Sequence, residues 1–424
     1  MSTPTTSEPA HSKLSALASG GAGVAVAMGV MNVGAYGFTL VSARLLGPQS
    51  YGAVASLMAT LLIVMVLQLG IQATAARRIA ADPDHTAQIA HGILKVTYRA
   101  AFAFGIVMLL AAPLINALLH LESLSTAALV AATAVPLTIT GGQLGILQGE
   151  RRWSPVAWMY VASGVPRLLF GVLLTMWRPT EFMAMLGVFL GACVPVLIGW
   201  FALKDERPEG ALSADHGARS LLSETVRNSQ TLLAFFALIN VDIVVARNVL
   251  DLHDAGLYAA GLILAKAVLF LPQFVVVVSF PAMSTARERR TALARGLALV
   301  AVLGAACVGG TLVLPRLALA FAGGPAYLEI EPYIWLFALL GTAMSMLQLL
   351  VYAVLARRGK RSAWALWMAF VIVLLAGRLA TSPLELLVTV VVCESSVLML
   401  LFAVSLYLIR KPVVDDGIDA PIGA

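Results

Sequence analysis

Apolar residues run along this chain in blocks of about twenty, separated by short polar breaks. A bilayer core about 30 Å thick is crossed by roughly 20 apolar residues in helical form. Twelve segments meet that length: 22–44, 51–74, 97–119, 124–147, 155–177, 181–203, 228–250, 255–281, 296–320, 331–356, 362–379 and 384–409. Backbone polar groups find no water in hydrocarbon, so each segment is predicted to be an α-helix and the fold an all-α polytopic membrane protein. Pro136, Pro166, Pro195 and Pro272 fall inside these spans and predict kinks.

Composition agrees with this pattern. Of 424 residues, 60% are hydrophobic and 12% charged, whereas a soluble domain is about a quarter charged. The mean hydropathy is +0.91. The net charge of +6 and pI near 9.4 raise the question of nucleic acid, which the positions of the basic residues answer. With both termini in the cytoplasm, 21 of the 28 Lys and Arg fall in inner segments, and only Arg44, Arg178, Arg247, Arg316 and Arg378 at outer ends. By the positive-inside rule this orients the chain, so the basic balance is a topology signal and no nucleic-acid partner is expected. The predicted location is a membrane crossed many times, with both termini on its cytoplasmic side.

Residues 1–20 are polar and rich in Ser, Thr and Pro, and read as a disordered cytoplasmic tail with nothing expected to be cleaved. Cys193, Cys307 and Cys393 all lie in spans without a CxxC pair; they act as small apolar residues, and neither disulfide nor metal site is expected. All six His lie in loops, tails or span ends, which argues against a histidine proton relay. No cofactor is implied.

The polar segment 204–227, KDERPEGALSADHGARSLLSETVR, divides the spans six and six. It reads as a cytoplasmic linker between an N-terminal lobe, 21–203, and a C-terminal lobe, 228–410, followed by a cytoplasmic tail, 411–424. The lobes open alike. ARLLGPQSYGAVASLMAT crosses from span 1 to span 2, and ARNVLDLHDAGLYAAGLILA from span 7 to span 8. With one gap, Ala43-Arg44 aligns with Ala246-Arg247 and Gly52 with Gly256. Six spans per half give both halves one orientation, so two six-helix lobes related by a pseudo-two-fold axis along the membrane normal are predicted.

Four stretches carry a family likeness: ARLLGPQSYG (43–52), GILQGERRW (145–153), NVDIVVARNVLDLHDAGLYAAG (240–261) and LPQFVVVVSFPAMS (271–284). Their pattern resembles the oligosaccharide flippase, or polysaccharide biosynthesis exporter, family of the multidrug/oligosaccharidyl-lipid/polysaccharide (MOP) exporter superfamily. The resemblance implies a transporter that moves a polyprenyl-pyrophosphate-linked oligosaccharide, or a related cell-envelope glycolipid, from the cytoplasmic to the outer leaflet by alternating access. Implied partners are that lipid-linked glycan, a glycan polymerase or other envelope-assembly proteins, and a coupling proton or sodium ion.

Polar residues inside the spans are the candidate chemistry, because charge in hydrocarbon is expensive and marks transport paths. Arg167 lies mid-span with Ser163 and Tyr160 on the same helical face; its fork suits a phosphate. Lys266 and Gln273, seven apart, share a face around Pro272. Asp242 and Lys266 differ in depth by roughly 5 Å, so the carboxylate either neutralises Lys266 within the lobe or faces the path. Glu394, mid-span, is open to pairing, ion binding or a neutral hydrogen-bonded state. Asn32 and Gln348 sit in polar sets that suit sugar hydroxyls or interhelical hydrogen bonds. Arg247 is expected at the outer interface, where its charge is cheap to place. The GxxxG pairs Gly187/Gly191 and Gly141/Gly145/Gly149 predict close helix packing.

Two other classes compete with the flippase. An ion-coupled multidrug (MATE-like) exporter of cations calls for a carboxylate-dominated cavity, whereas here Arg167 and Lys266 balance Asp242 and Glu394. A membrane-embedded sugar polymerase or glycosyltransferase calls for a sizeable outer domain, whereas the outer connections are about 15 residues at most. No P-loop or other nucleotide-binding motif is present. The expectation is a transporter and not an enzyme.

Overall fold

A computed structural model describes residues 21–204, 218–269, 286–355 and 360–410. The described residues form a bundle of thirteen α-helices. Those of the first half are α1 (Gly21–Ala81), α2 (Thr86–Leu110), α3 (Ala112–Leu119), α4 (Leu124–Gly149), α5 (Trp153–Trp177) and α6 (Glu181–Leu203). The second half holds α7 (Ala218–Val249), α8 (Leu252–Val268), α9 (Ala286–Val313), α10 (Pro315–Ala322), α11 (Ile334–Leu355), α12 (Lys360–Ala376) and α13 (Pro383–Arg410).

Among the described residues nine helices are long and apolar enough to cross a membrane. One of them, α1, spans 61 residues and is broken at Gly47, so it supplies two crossings. Gly47 takes φ 70° and ψ 176°, a conformation open to glycine and strained for other residues, and Pro48 behind it has no N–H to continue the ladder. The apolar stretch Trp364–Leu379 and the 17-residue α8 complete the twelve places. The remainder of the span predicted at 255–281, with Pro272 and Gln273, lies outside the described residues.

Two predicted spans are split. The segment 97–119 divides into α2 and α3, and 296–320 into α9 and α10, with Pro113 and Pro315 in the first turn of each short helix. A proline there starts a helix readily because its missing N–H would have had no intrahelical partner. By contrast α4, α5 and α6 run through Pro136, Pro166 and Pro195 without a break. Helix starts are locally encoded: Ser123 caps α4 by accepting from the Thr126 N–H (3.4 Å), and Asp251 caps α8 by accepting from the Asp254 N–H (2.8 Å).

The apolar side chains gather into three buried clusters. One joins α1, α2, α4 and α5 around Ile79, Ile93, Leu144 and Met159, and a second joins α1, α3, α4 and α6 around Phe38, Leu57, Leu119 and Met185. The third unites the second half around Phe235, Tyr258, Phe337 and Val390, and reaches across to Ala43 and Tyr51 beside the Gly47 break. Two packed lobes therefore meet where α1 turns. There a Cβ placed on Gly52 would stand 3.1 Å from the Gly256 Cα, so the two repeat-related glycines touch backbone to backbone. Elsewhere the GxxxG positions act as expected: Gly145 lies against Gln72 and Ala75 of α1, and Gly191 against the Arg167 backbone of α5. Leu, Phe and Trp on the outer helix faces, Trp158 and Trp177 among them, are exposed to the surroundings of the bundle, as a lipid-facing surface requires.

Candidate functional site

The membrane-embedded charges fall into two groups, one in each lobe. In the first, Arg167 on α5 is wedged against the two arms of α1. Its guanidinium carbon lies 5.0 Å from the centroid of the Phe38 ring, a cation–π contact, and Nη2 points at the Met58 sulfur at 2.8 Å. The Nε is buried and has no hydrogen-bond partner among the described residues, and no carboxylate pairs with this side chain there. Ser163, one turn earlier, turns back to the Met159 carbonyl (2.8 Å). Tyr160 joins a polar cluster at the far end of the lobe: its hydroxyl accepts from Gln72 Nε2 (3.2 Å) and Gln148 Nε2 (3.3 Å), and Gln72 Nε2 also reaches Gln148 Oε1 (3.1 Å). Arg167 and Tyr160 share α5 without sharing a contact. Gln72 and Gln148 have no place in the sequence-level site; their only signal was a polar side chain within an apolar block.

The second group sits between α7, α8 and α13. Asp242 is 0% exposed; one oxygen accepts from the Ile243 N–H (2.8 Å), the other from the Tyr258 hydroxyl (3.1 Å). Lys266 Nζ donates to Asn240 Oδ1 at 3.0 Å, and lies within electrostatic range of Asp242. Asn240 thus takes the lysine while Tyr258 and the backbone hold the aspartate. Glu394 is 0% exposed, within range of Asp242, and neither of its oxygens has a hydrogen-bond partner among the described residues. Two buried acids, a part-buried lysine, one tyrosine and one asparagine therefore form one polar cluster among the helices, and burying that much polarity is unfavourable without a compensating role.

Asn32 lies half-buried on the first arm of α1 and Gln348 is buried on α11. No metal-holding cluster of His, Cys, Asp or Glu occurs among the described residues. A hollow of about 510 Å³ opens between the ends of α1 and α4, lined by Pro83, Thr86, Gly149, Glu150 and Arg151; the embedded charges do not line it. Arg247 departs from expectation: it is 2% exposed and turned into the other lobe.

Residues 20–287 match the model of a family described as "Polysaccharide biosynthesis protein". The chain belongs to this family. It is a multi-pass membrane protein, and its fold is shared with solved transporters of the multidrug/oligosaccharidyl-lipid/polysaccharide (MOP) superfamily. An inward-facing multidrug resistance MATE family transporter superposes with a TM-score of 0.70 at 14% identity, over 90% of this chain and 94% of that one. An outward-facing MATE transporter gives 0.60 at 15%, over 91% and 94%. A MOP superfamily transporter from Pyrococcus furiosus, described as having a binding pocket of reversed polarity, gives 0.59 at 15%, over 92% and 95%. Among curated proteins no relative matches the sequence.

In a member of this family the two charge groups are chemically distinct. A guanidinium with an unfilled donor can accept an oxyanion. A buried carboxylate pair beside a lysine can take up or release a proton or a small cation, because each charge in so dry a place responds strongly to the others.

Proposed function

We propose that the protein flips a polyprenyl-pyrophosphate-linked oligosaccharide, or a closely related envelope glycolipid, from the cytoplasmic to the outer leaflet of a bacterial inner membrane. The lipid tail stays in the bilayer while pyrophosphate and sugars pass between lobes spanning 21–203 and 228–410, joined by the linker 204–227. Both termini lie in the cytoplasm, as the basic residues at that end of the spans support, which puts the Gly47 end outside.

The observation that carries this reading is Arg167: within a polysaccharide-biosynthesis family member, a part-buried cation holds a buried, unpartnered Nε donor and no carboxylate partner among the described residues. Hydrocarbon does not shelter an uncompensated guanidinium; an incoming phosphate oxygen compensates it. Lys266 supplies a second cation, and Ser163, Tyr160, Asn32, Gln348 and Gln273 supply groups for sugar hydroxyls. Asp242 and Glu394 form the coupling site, loaded by a proton or sodium ion. The same acidic pair favours a second reading, ion-coupled export of cationic compounds.

The test is flipping of a labelled lipid-linked oligosaccharide in proteoliposomes. Wild type transfers it between leaflets, and Arg167→Ala and Lys266→Ala each slow transfer by about tenfold or more, the value of a lost charge-assisted phosphate contact. Wild-type rates in both variants would remove the cations from the transport path.

A further inference from the structure

The repeat-related arginines at the Gly47 end make the same contact in opposite directions. Arg247, from the second half, donates from Nε to the Leu119 carbonyl (2.8 Å) and from Nη2 to the His120 carbonyl (2.6 Å). Asn248 beside it donates to the Leu118 carbonyl (2.7 Å). All three acceptors belong to the end of α3 in the first half. Arg44, from the first half, donates from Nη2 to the Ala320 carbonyl (2.7 Å), and the Tyr36 hydroxyl to the Phe321 carbonyl (2.9 Å), at the end of α10 in the second half.

The acceptors are suited to this. The last carbonyls of a helix have no intrahelical partner and carry the negative end of its dipole. Both short helices end on a residue with positive φ, His120 at 49° and Gly323 at 131°, so the chain turns off and leaves those carbonyls facing the other lobe. The donors are suited too, since a guanidinium fork bridges neighbouring carbonyls and stays charged. Sequence separations of 128 for Arg247–Leu119 and 276 for Arg44–Ala320 mean that these bonds hold lobe to lobe and do nothing within either. Beside them Gly52 and Gly256 bring the lobes into backbone contact.

We propose that Arg44 and Arg247 form a reciprocal latch, each capping the carboxyl end of the other lobe's short helix, which keeps the outer end closed and must release for that end to open. This rests on the alternating-access reading above, but concerns the gate and not the cargo. The two arms are unequal. Arg247 is buried with Glu181 of the first lobe in electrostatic range, whereas Arg44 is exposed and holds a single carbonyl. The stronger arm is therefore Arg247.

Spin labels at Ser125→Cys and Ala326→Cys, both exposed and one on each lobe at this end, read the gate by pulsed dipolar spectroscopy in a background with Cys193, Cys307 and Cys393 replaced by alanine. The full-length protein is measured in lipid nanodiscs without glycolipid, so that failure of the latch is separable from failure of the substrate reading. The parent shows one short distance. R247Q raises the ratio of long to short distances by about tenfold, the scale of a lost hydrogen bond to a charged group, R44Q by less, and R247K returns part of the way. Because Arg44 is exposed, R44Q reads the latch even if R247Q folds poorly. Unchanged distance distributions in R44Q and in the double variant R44Q/R247Q would overturn the latch.

Discussion

Asp242 illustrates how a buried charge is tolerated here through polar neighbours and not through a direct ion pair. Its two oxygens are met by the Ile243 N–H and the Tyr258 hydroxyl, and Lys266 spends its hydrogen bond on Asn240. Tyr258→Phe removes one donor while keeping the ring in its edge-on contact with Phe337. It is expected to cost about 1–3 kcal/mol of stability, the penalty for a buried acceptor left unfilled, read as a lower unfolding temperature in detergent. At the loop end of α8, His253 Nε2–H donates to the Glu329 carboxylate at 3.0 Å, and this hydrogen bond raises its pKa above the ordinary histidine value. Glu329 stabilises the imidazolium relative to the neutral ring, so the pair's stabilisation is complete below about pH 6.5 and fades as pH rises through the raised value. A nuclear magnetic resonance titration should place His253 above 6.5 and bring it down in Glu329→Gln; no change in that variant would refute the coupling. Arg247 was the residue least legible in the sequence. Its acceptors are backbone carbonyls 127 and 128 positions away, and a carbonyl leaves no mark in a sequence, so a buried cap looks like an interfacial charge.

The elements themselves were largely legible, because in hydrocarbon apolar length alone specifies a helix. What length does not encode is interruption. Pro113 and Pro315 stand where a span breaks and a short helix starts, whereas α4, α5 and α6 run through Pro136, Pro166 and Pro195. The polar start of α7 at Ala218, ahead of the apolar stretch, was read as linker for the same reason: apolar length says nothing of helix that continues beyond the hydrocarbon. Helix contacts were half legible. The GxxxG spacing marked α4 as a close-packing face, but only the structure shows that α1 is its partner. A Cβ at Gly145 would sit 2.5 Å from the Gln72 carbonyl oxygen and 2.6 Å from the Ala75 Cβ. Gly145→Ala is therefore expected to push α4 off α1 at about 1–3 kcal/mol, lowering the unfolding temperature. An unchanged transition would mean that the interface absorbs the methyl.

At the scale of the molecule, the paired openings anticipated two lobes; that they meet at the Gly47 end, with Gly52 against Gly256, is seen only in the structure. The charges divide between the lobes as well: a lone cation against α1, and a mixed acidic and basic pocket between α7, α8 and α13. Neither location was available from spacing alone, since depth along a span does not say which neighbour a side chain faces. The orientation proposed from the basic residues predicts that, in a cysteine-less background, Ser125→Cys reacts with a membrane-impermeant maleimide on intact spheroplasts, whereas Asp84→Cys, in the connection between α1 and α2, reacts only in inverted vesicles. The reverse labelling would invert the transport direction. The central claim, that the cargo is an anionic lipid-linked glycan, is tested most directly by one competition in proteoliposomes holding wild-type protein, a labelled polyprenyl-pyrophosphate oligosaccharide and a fluorescent organic cation. Transfer of the glycolipid between leaflets with no movement of the cation is the predicted result; gradient-driven efflux of the cation with the glycolipid left in its original leaflet would contradict it.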